Sequence, residues 1–184
     1  MKIQEINVAI PFANTFLDYP DPISNAVVIY MMGCDGKCKG CQNPEFQNKD
    51  YNFCTQKFKP MMLEREIINS LKINRTNKLV FSGGDPLTKN NILFTKNFTQ
   101  NHSRHIDICI YTWHDIEFVK KNDIKGFKFI KCGKFEEKLF QGSEKLDEYF
   151  KLASKNQIIY NHNYVPLSKD GVYYFEDEGG DTNV

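Results

Sequence analysis

No apolar run in these 184 residues approaches the roughly 20 needed to cross a bilayer. Net charge is almost absent. The 24 basic and 23 acidic residues leave +1, which gives no general pull toward nucleic acid or an anionic membrane. Internal repeats and low-complexity linkers are lacking too. The first ten residues hold an early Lys2, Glu5 and no sustained apolar core, and do not read as a signal peptide. Together these absences predict a cytoplasmic chain in a compartment that keeps thiols reduced.

What is present is enough for a core. Hydrophobic residues make up 41% and aromatics 14%, which argues against disorder. The length suits one domain spanning residues 1–184. The run Ala26-Val27-Val28-Ile29-Tyr30-Met31-Met32 has the continuous apolar character of a strand buried on both faces. Further strands are predicted at 78–82, 106–112 and 127–131, with late ones at 158–160 and 172–175. Helices are predicted at 62–73, 90–100 and 115–121. Alternating strands and helices imply βα units and a mainly parallel sheet. Four or five units are too few for an eight-stranded barrel, so the expected fold is α/β, a partial, open (β/α) barrel.

Six cysteines in a reducing compartment are more often ligands or small core residues than disulfides. Three stand within the run Gly33-Cys34-Asp35-Gly36-Lys37-Cys38-Lys39-Gly40-Cys41, spaced C-x3-C-x2-C directly after the first buried strand. Thiolates on a short glycine-containing loop can converge on one face of an iron–sulfur cluster and leave one iron open. The competing reading is a structural zinc site with Cys54 or a histidine as fourth ligand, although no second C-x2-C half exists here. A second candidate loop, Ser82-Gly83-Gly84-Asp85-Pro86-Leu87, follows the next strand. Glycines there let a ligand approach the backbone, and Asp85 is suited to an ammonium group. Two such loops after successive strands would lie side by side at one sheet edge. Cys54, Cys109 and Cys132 read as buried or incidental, and His102, His105, His114 and His162 as surface or packing residues.

At these residues the sequence resembles the radical S-adenosylmethionine (SAM) superfamily, marked by C-x3-C-x2-C after the first barrel strand. Within it the resemblance is to the activating protein of anaerobic ribonucleoside-triphosphate reductase: Gly33-Cys34, Gly40-Cys41, Asn43 and the unbroken run from Ser82 to Leu87. Weaker echoes are Tyr111-Thr112-Trp113, Gly133-Lys134-Phe135 and Ser154-Lys155-Asn156-Gln157. It covers about residues 26–160 and leaves the tail 161–184 unplaced. Trp113 stands where the family has glycine, and Cys132 where it has aspartate.

The resemblance implies a [4Fe–4S] cluster on Cys34, Cys38 and Cys41, with SAM on the open iron. SAM contacts would come from Gly40, Cys41, Gln42, Gly83, Gly84, Asp85 and Thr112. Reductive cleavage of SAM would then generate a glycyl radical on the large subunit of the reductase. A low-potential donor such as flavodoxin would supply the electron, and neither nucleic acid nor membrane is an expected partner. No catalytic residue beyond the cluster and SAM is expected. The alternatives are an activase of another glycyl-radical enzyme or a small-molecule enzyme of the deazaguanine synthase type. Both usually carry an aromatic residue where this chain has Gly40. A non-catalytic zinc-binding adaptor is the reading from another class.

Overall fold

The computed structural model describes residues 4–22 and 25–175. The predicted strand 26–32 forms β3 (Ala26–Met31), and its neighbours follow in chain order. Before it lie β1 (Ile6–Ala9) and β2 (Ala13–Thr15). After it come β4 (Thr55–Phe58), β5 (Lys78–Gly83), β6 (Asp107–Tyr111) and β7 (Phe129–Cys132). Three helices join them: α1 (Pro60–Ile73), α2 (Ile92–His102) and α3 (Ile116–Lys121).

Helix α1 starts on Pro60, whose missing N–H costs nothing in a first turn. It buries Leu63, Ile67 and Leu71 at a spacing of four, the stripe that a 3.6-residue period puts on one face. Asn74 ends it by donating its side-chain amide to the Ser70 carbonyl at 2.8 Å.

The four strands β3, β5, β6 and β7 are parallel and adjacent, the α/β arrangement the sequence predicts. Antiparallel strands flank them: β1 and β2 share the outer edge of β3, β4 pairs with β1, and β10 (Ile158–Asn161) pairs with β7. The sheet runs β10-β7-β6-β5-β3-β1-β4, and its two ends do not pair with each other. It is therefore open, parallel at its centre and not a closed barrel.

Alternation within the strands divides the core. Val27, Ile29, Leu79, Phe81, Ile108 and Ile110 meet the buried stripes of all three helices. Val28, Val80, Cys109 and Phe129 face the other way. There Phe150 and Leu152 cover them. This cover comes from a small antiparallel sheet of β8 (Glu144–Lys145), β9 (Tyr149–Lys151) and β11 (Val172–Tyr174). Of the two late strands foreseen, one therefore borders the main sheet and the other belongs to this separate one. The tail is described up to Phe175, and the rest of it lies outside the described residues, as do Ile23 and Ser24. Among the described residues no helix is long and apolar enough to cross a membrane.

Candidate metal centre

The C-terminal ends of the parallel strands open into a cavity of about 290 Å³, on the sheet face away from the helices. Cys34, Cys38 and Cys41 all line it, together with Gln42, Gly83, Gly84 and Thr112. The two loops singled out in the sequence therefore meet at one site. All six cysteines carry free thiols, and the three of the loop are half-buried.

Their loop leaves β3 at Gly33 (φ 94°) and turns again at Lys37 (φ 42°) and Gly40 (φ 72°). Positive φ suits the glycines and strains the lysine, and the reversals curl the loop back on itself. Gly33 N–H donates to the Phe46 carbonyl at 2.8 Å and Cys34 N–H to that of Gln47 at 3.1 Å, which ties the loop's two ends together. Gly36 N–H points at Cys34 Sγ, 3.3 Å away. Burial pushes the Cys34 thiol up to about 11, against the pull of that same amide. Such a thiol ionises readily only beside a cation, as in metal binding.

The neighbouring loop is pressed against the first. A Cβ on Gly84 would lie 2.3 Å from the carbonyl oxygens of both Gly33 and Phe46, so only glycine fits. Gly84 N–H donates to Met31 O and Asp85 N–H to Gly33 O, each at 2.8 Å. The Asp85 carboxylate is fully buried. It accepts from Leu87 N–H at 2.6 Å, the Thr112 hydroxyl at 2.8 Å and Trp113 N–H at 2.9 Å. Burial pushes this carboxyl up, and the three donors pull it back down. The geometry thus gives Asp85 a different task from the ammonium ligand its sequence suggested. Both its oxygens are engaged internally, it is not among the residues lining the cavity, and it locks the ends of β5 and β6 together. Gly40 also stands outside the lining; a Cβ there would meet the Phe135 ring at 3.2 Å.

The weaker echoes come together in space. Gln157 lines the cavity and donates to the Gly133 carbonyl at 3.2 Å, while Asn156 donates to the Lys134 carbonyl at 2.8 Å. Sequence reasoning missed Lys131, Lys145 and Lys151, which also line the site. Lys145 is held by the Tyr19 carbonyl at 3.0 Å and Lys151 by Glu144 at 2.7 Å. Lys131 lies over the Tyr111 ring, 5.3 Å from its centroid, and burial pushes its ammonium down. The signal for Lys131 was its place at the C-terminal end of a parallel strand. No such signal marks the other two, on short polar strands.

Cys54 is not among the lining residues, and Cys109 and Cys132 are packed in the core. Among the described residues no three His, Cys, Asp or Glu side chains gather around one ion-sized point. A tetrahedral zinc needs such a point. The thiolates of a cubane instead each take a separate iron and stand further apart. Three soft donors around one cavity, on a loop with room to curl, fit a cluster.

Residues 25–160 match the family of 4Fe–4S single cluster domains. The chain belongs to that family. This agrees with the radical SAM resemblance at the level of a [4Fe–4S]-binding domain. No curated protein matches the chain. Among solved structures, QueE from Escherichia coli is similar, at 13% identity and a TM-score of 0.43. That match takes in 59% of this chain and 53%, about half, of QueE.

Proposed function

We propose that this 4Fe–4S domain is a radical SAM activase that makes a glycyl radical on the large subunit of an anaerobic ribonucleoside-triphosphate reductase. The observation that carries the reading is the meeting of Cys34, Cys38 and Cys41 with the Gly83–Gly84 backbone in one cavity. Three cysteines for four irons leave one iron for a ligand. When bound, cluster and SAM together supply one-electron cleavage of the sulfonium and, from it, hydrogen abstraction.

The protein's own work is placement and shielding. The three thiolates hold the cluster. Gly83 and Gly84 bring bare backbone to the cavity wall for the methionine end of SAM, beside Gln42 and Thr112. Asp85 orients Thr112 and the Trp113 amide without facing the ligand. Phe150 and Leu152, from β9 and just after it, cover the cavity from the far side and keep out water and stray hydrogen donors. The reading places the chain in the cytoplasm, with a flavodoxin-type donor and no nucleic-acid or membrane partner. Gly40, where other activases resemble one another in carrying an aromatic residue, supports the reductase as client.

A second reading has its own support. The antiparallel cover leaves a small cavity with an ammonium, Lys131, that is paired to no carboxylate among the described residues, which favours a small-molecule radical SAM enzyme. One experiment separates the two. After anaerobic reconstitution the chain should hold about four irons and four sulfides and cleave SAM when reduced. With the anaerobic reductase added, a glycyl radical signal should grow in the electron paramagnetic resonance (EPR) spectrum. SAM cleavage with no glycyl signal on the reductase would move the assignment to the small-molecule reading. One zinc, no sulfide and no cleavage would overturn both.

A further inference from the structure

The sheet face that lines the cavity changes character from one row of residues to the next. Strand register sets Val28, Val80, Cys109 and Phe129 side by side, all apolar and buried. Two residues further along the same strands, and so on the same face, come Tyr30, Ser82, Tyr111 and Lys131. Tyr30 pairs with Ser82 and Tyr111 with Lys131, one residue past the pair of Phe81 with Ile110. The four therefore form one polar row, of which Ser82, Tyr111 and Lys131 line the cavity. Gly83 and Thr112, on the proposed SAM side of the cavity, stand one residue beyond it.

Within this row Lys131 is the charge left open. The Tyr111 hydroxyl donates to the Asp18 carbonyl at 2.6 Å, which fixes its ring, and the Lys131 ammonium lies over that ring. Lys131 makes no ion pair and no hydrogen bond through its ammonium with any described residue. Its nitrogen is not among the sealed polar atoms, so it opens on the cavity. The other two lysines of the cavity are engaged, Lys145 by the Tyr19 carbonyl and Lys151 by Glu144. Three lysines against Asp18 and Glu144 leave the charged lining positive by one. A half-buried charge gains something from a ring face, but an anion on its open side satisfies it far better.

We infer that Lys131 anchors the carboxylate of a small organic acid, the substrate, on the floor of the cavity beneath SAM. The inference deepens the small-molecule reading of the cavity and rests on it. An ammonium is a compact point charge, and one free ammonium matches one carboxylate. A phosphate dianion would call on further charged donors, which Lys145 and Lys151 do not have to spare. With its stem laid over Tyr111, Lys131 fixes where the acid group sits, and the remainder of the molecule then points up toward the cysteine loop.

The probe is acetate, small enough to enter whatever the rest of the substrate requires, with acetamide as the uncharged control. Saturation-transfer NMR on the iron-loaded chain should show acetate bound and acetamide not, and SAM should leave acetate in place. Lys131→Met should weaken acetate by about tenfold or more, and Lys131→Arg should restore most of the binding. In the parent, acetate should slow reductive methylation of Lys131, read by peptide mass spectrometry, and leave the exposed Lys72 unaffected. Should Lys131→Met not fold, this protection decides. No acetate binding, equal binding by parent and Lys131→Met, or no protection of Lys131 overturns the inference. Displacement of acetate by SAM also overturns it, since the ammonium would then belong to SAM. A glycyl radical formed on the reductase overturns the small-molecule reading, and the substrate with it. A loaded chain that cleaves SAM, leaves the reductase untouched and ignores acetate overturns the carboxylate anchor alone.

Discussion

The two loops that meet in the cavity are built on opposite principles. The Gly83–Leu87 turn is held by the protein alone: Gly84 and Asp85 donate to β3 and Gly33, and the Asp85 carboxylate collects three donors. The Cys34–Cys41 loop is tied at its start, where the Gly33 and Cys34 amides donate to Phe46 and Gln47. Beyond that point its own bonds are few, the Gly36 amide to Cys34 Sγ and the Cys41 amide to the Cys38 carbonyl. One loop is a finished frame. The other makes few interior contacts of its own, and the close approach at Gly84 lets the frame hold it in register.

This contrast can be broken in stages. Cys34→Ala, Cys38→Ala or Cys41→Ala should each abolish cluster uptake, read as iron and sulfide per chain, while leaving the circular dichroism of the apo chain unchanged. Cys54→Ala should load fully. If it did not, the three-ligand assignment would be wrong. Gly84→Ala should strike both loops, because its Cβ must displace two backbone carbonyls. A destabilisation of about 3 kcal/mol or more is expected, measured by urea unfolding, together with loss of iron.

Asp85→Ala leaves Thr112 and the amides of Leu87 and Trp113 without an acceptor. It should cost about 3 kcal/mol, with Asp85→Asn recovering part of that. If Asp85→Ala unfolded like the parent, the frame would not be internally held. The smallest effect belongs to the exposed pair of Lys39 and Glu137, 3.0 Å apart. Glu137→Gln should change stability by less than about 0.5 kcal/mol and leave iron content alone. A larger loss would mean that the cysteine loop is braced from outside after all.

Much of the frame was legible from residue order. Long apolar runs such as 26–32 announced the four parallel strands, and the four-residue spacing of Leu63, Ile67 and Leu71 announced α1. Of the flanking strands only β10 was legible, as the expected strand at 158–160; β1, β2 and β4 were not. Strands of two to four residues with polar members, such as Glu144–Lys145 or Thr55–Phe58, are too short for a period of two to stand out. For that reason the cover over the cavity, and the lysines on it, went unseen. Trp113 was visible only as a departure from a pattern, since nothing local says that its ring will lie on Gly36, far away in sequence.

What the residue order determined by itself is the cysteine spacing, the glycines beside it and the strand that precedes them, because ligand type and backbone freedom are local properties. Only the tertiary structure decided which way Asp85 points, that Gly84 must be bare, and that the Trp113 ring lies against the cysteine loop. Each of those depends on atoms brought together from distant strand ends, where burial decides which polar groups find partners.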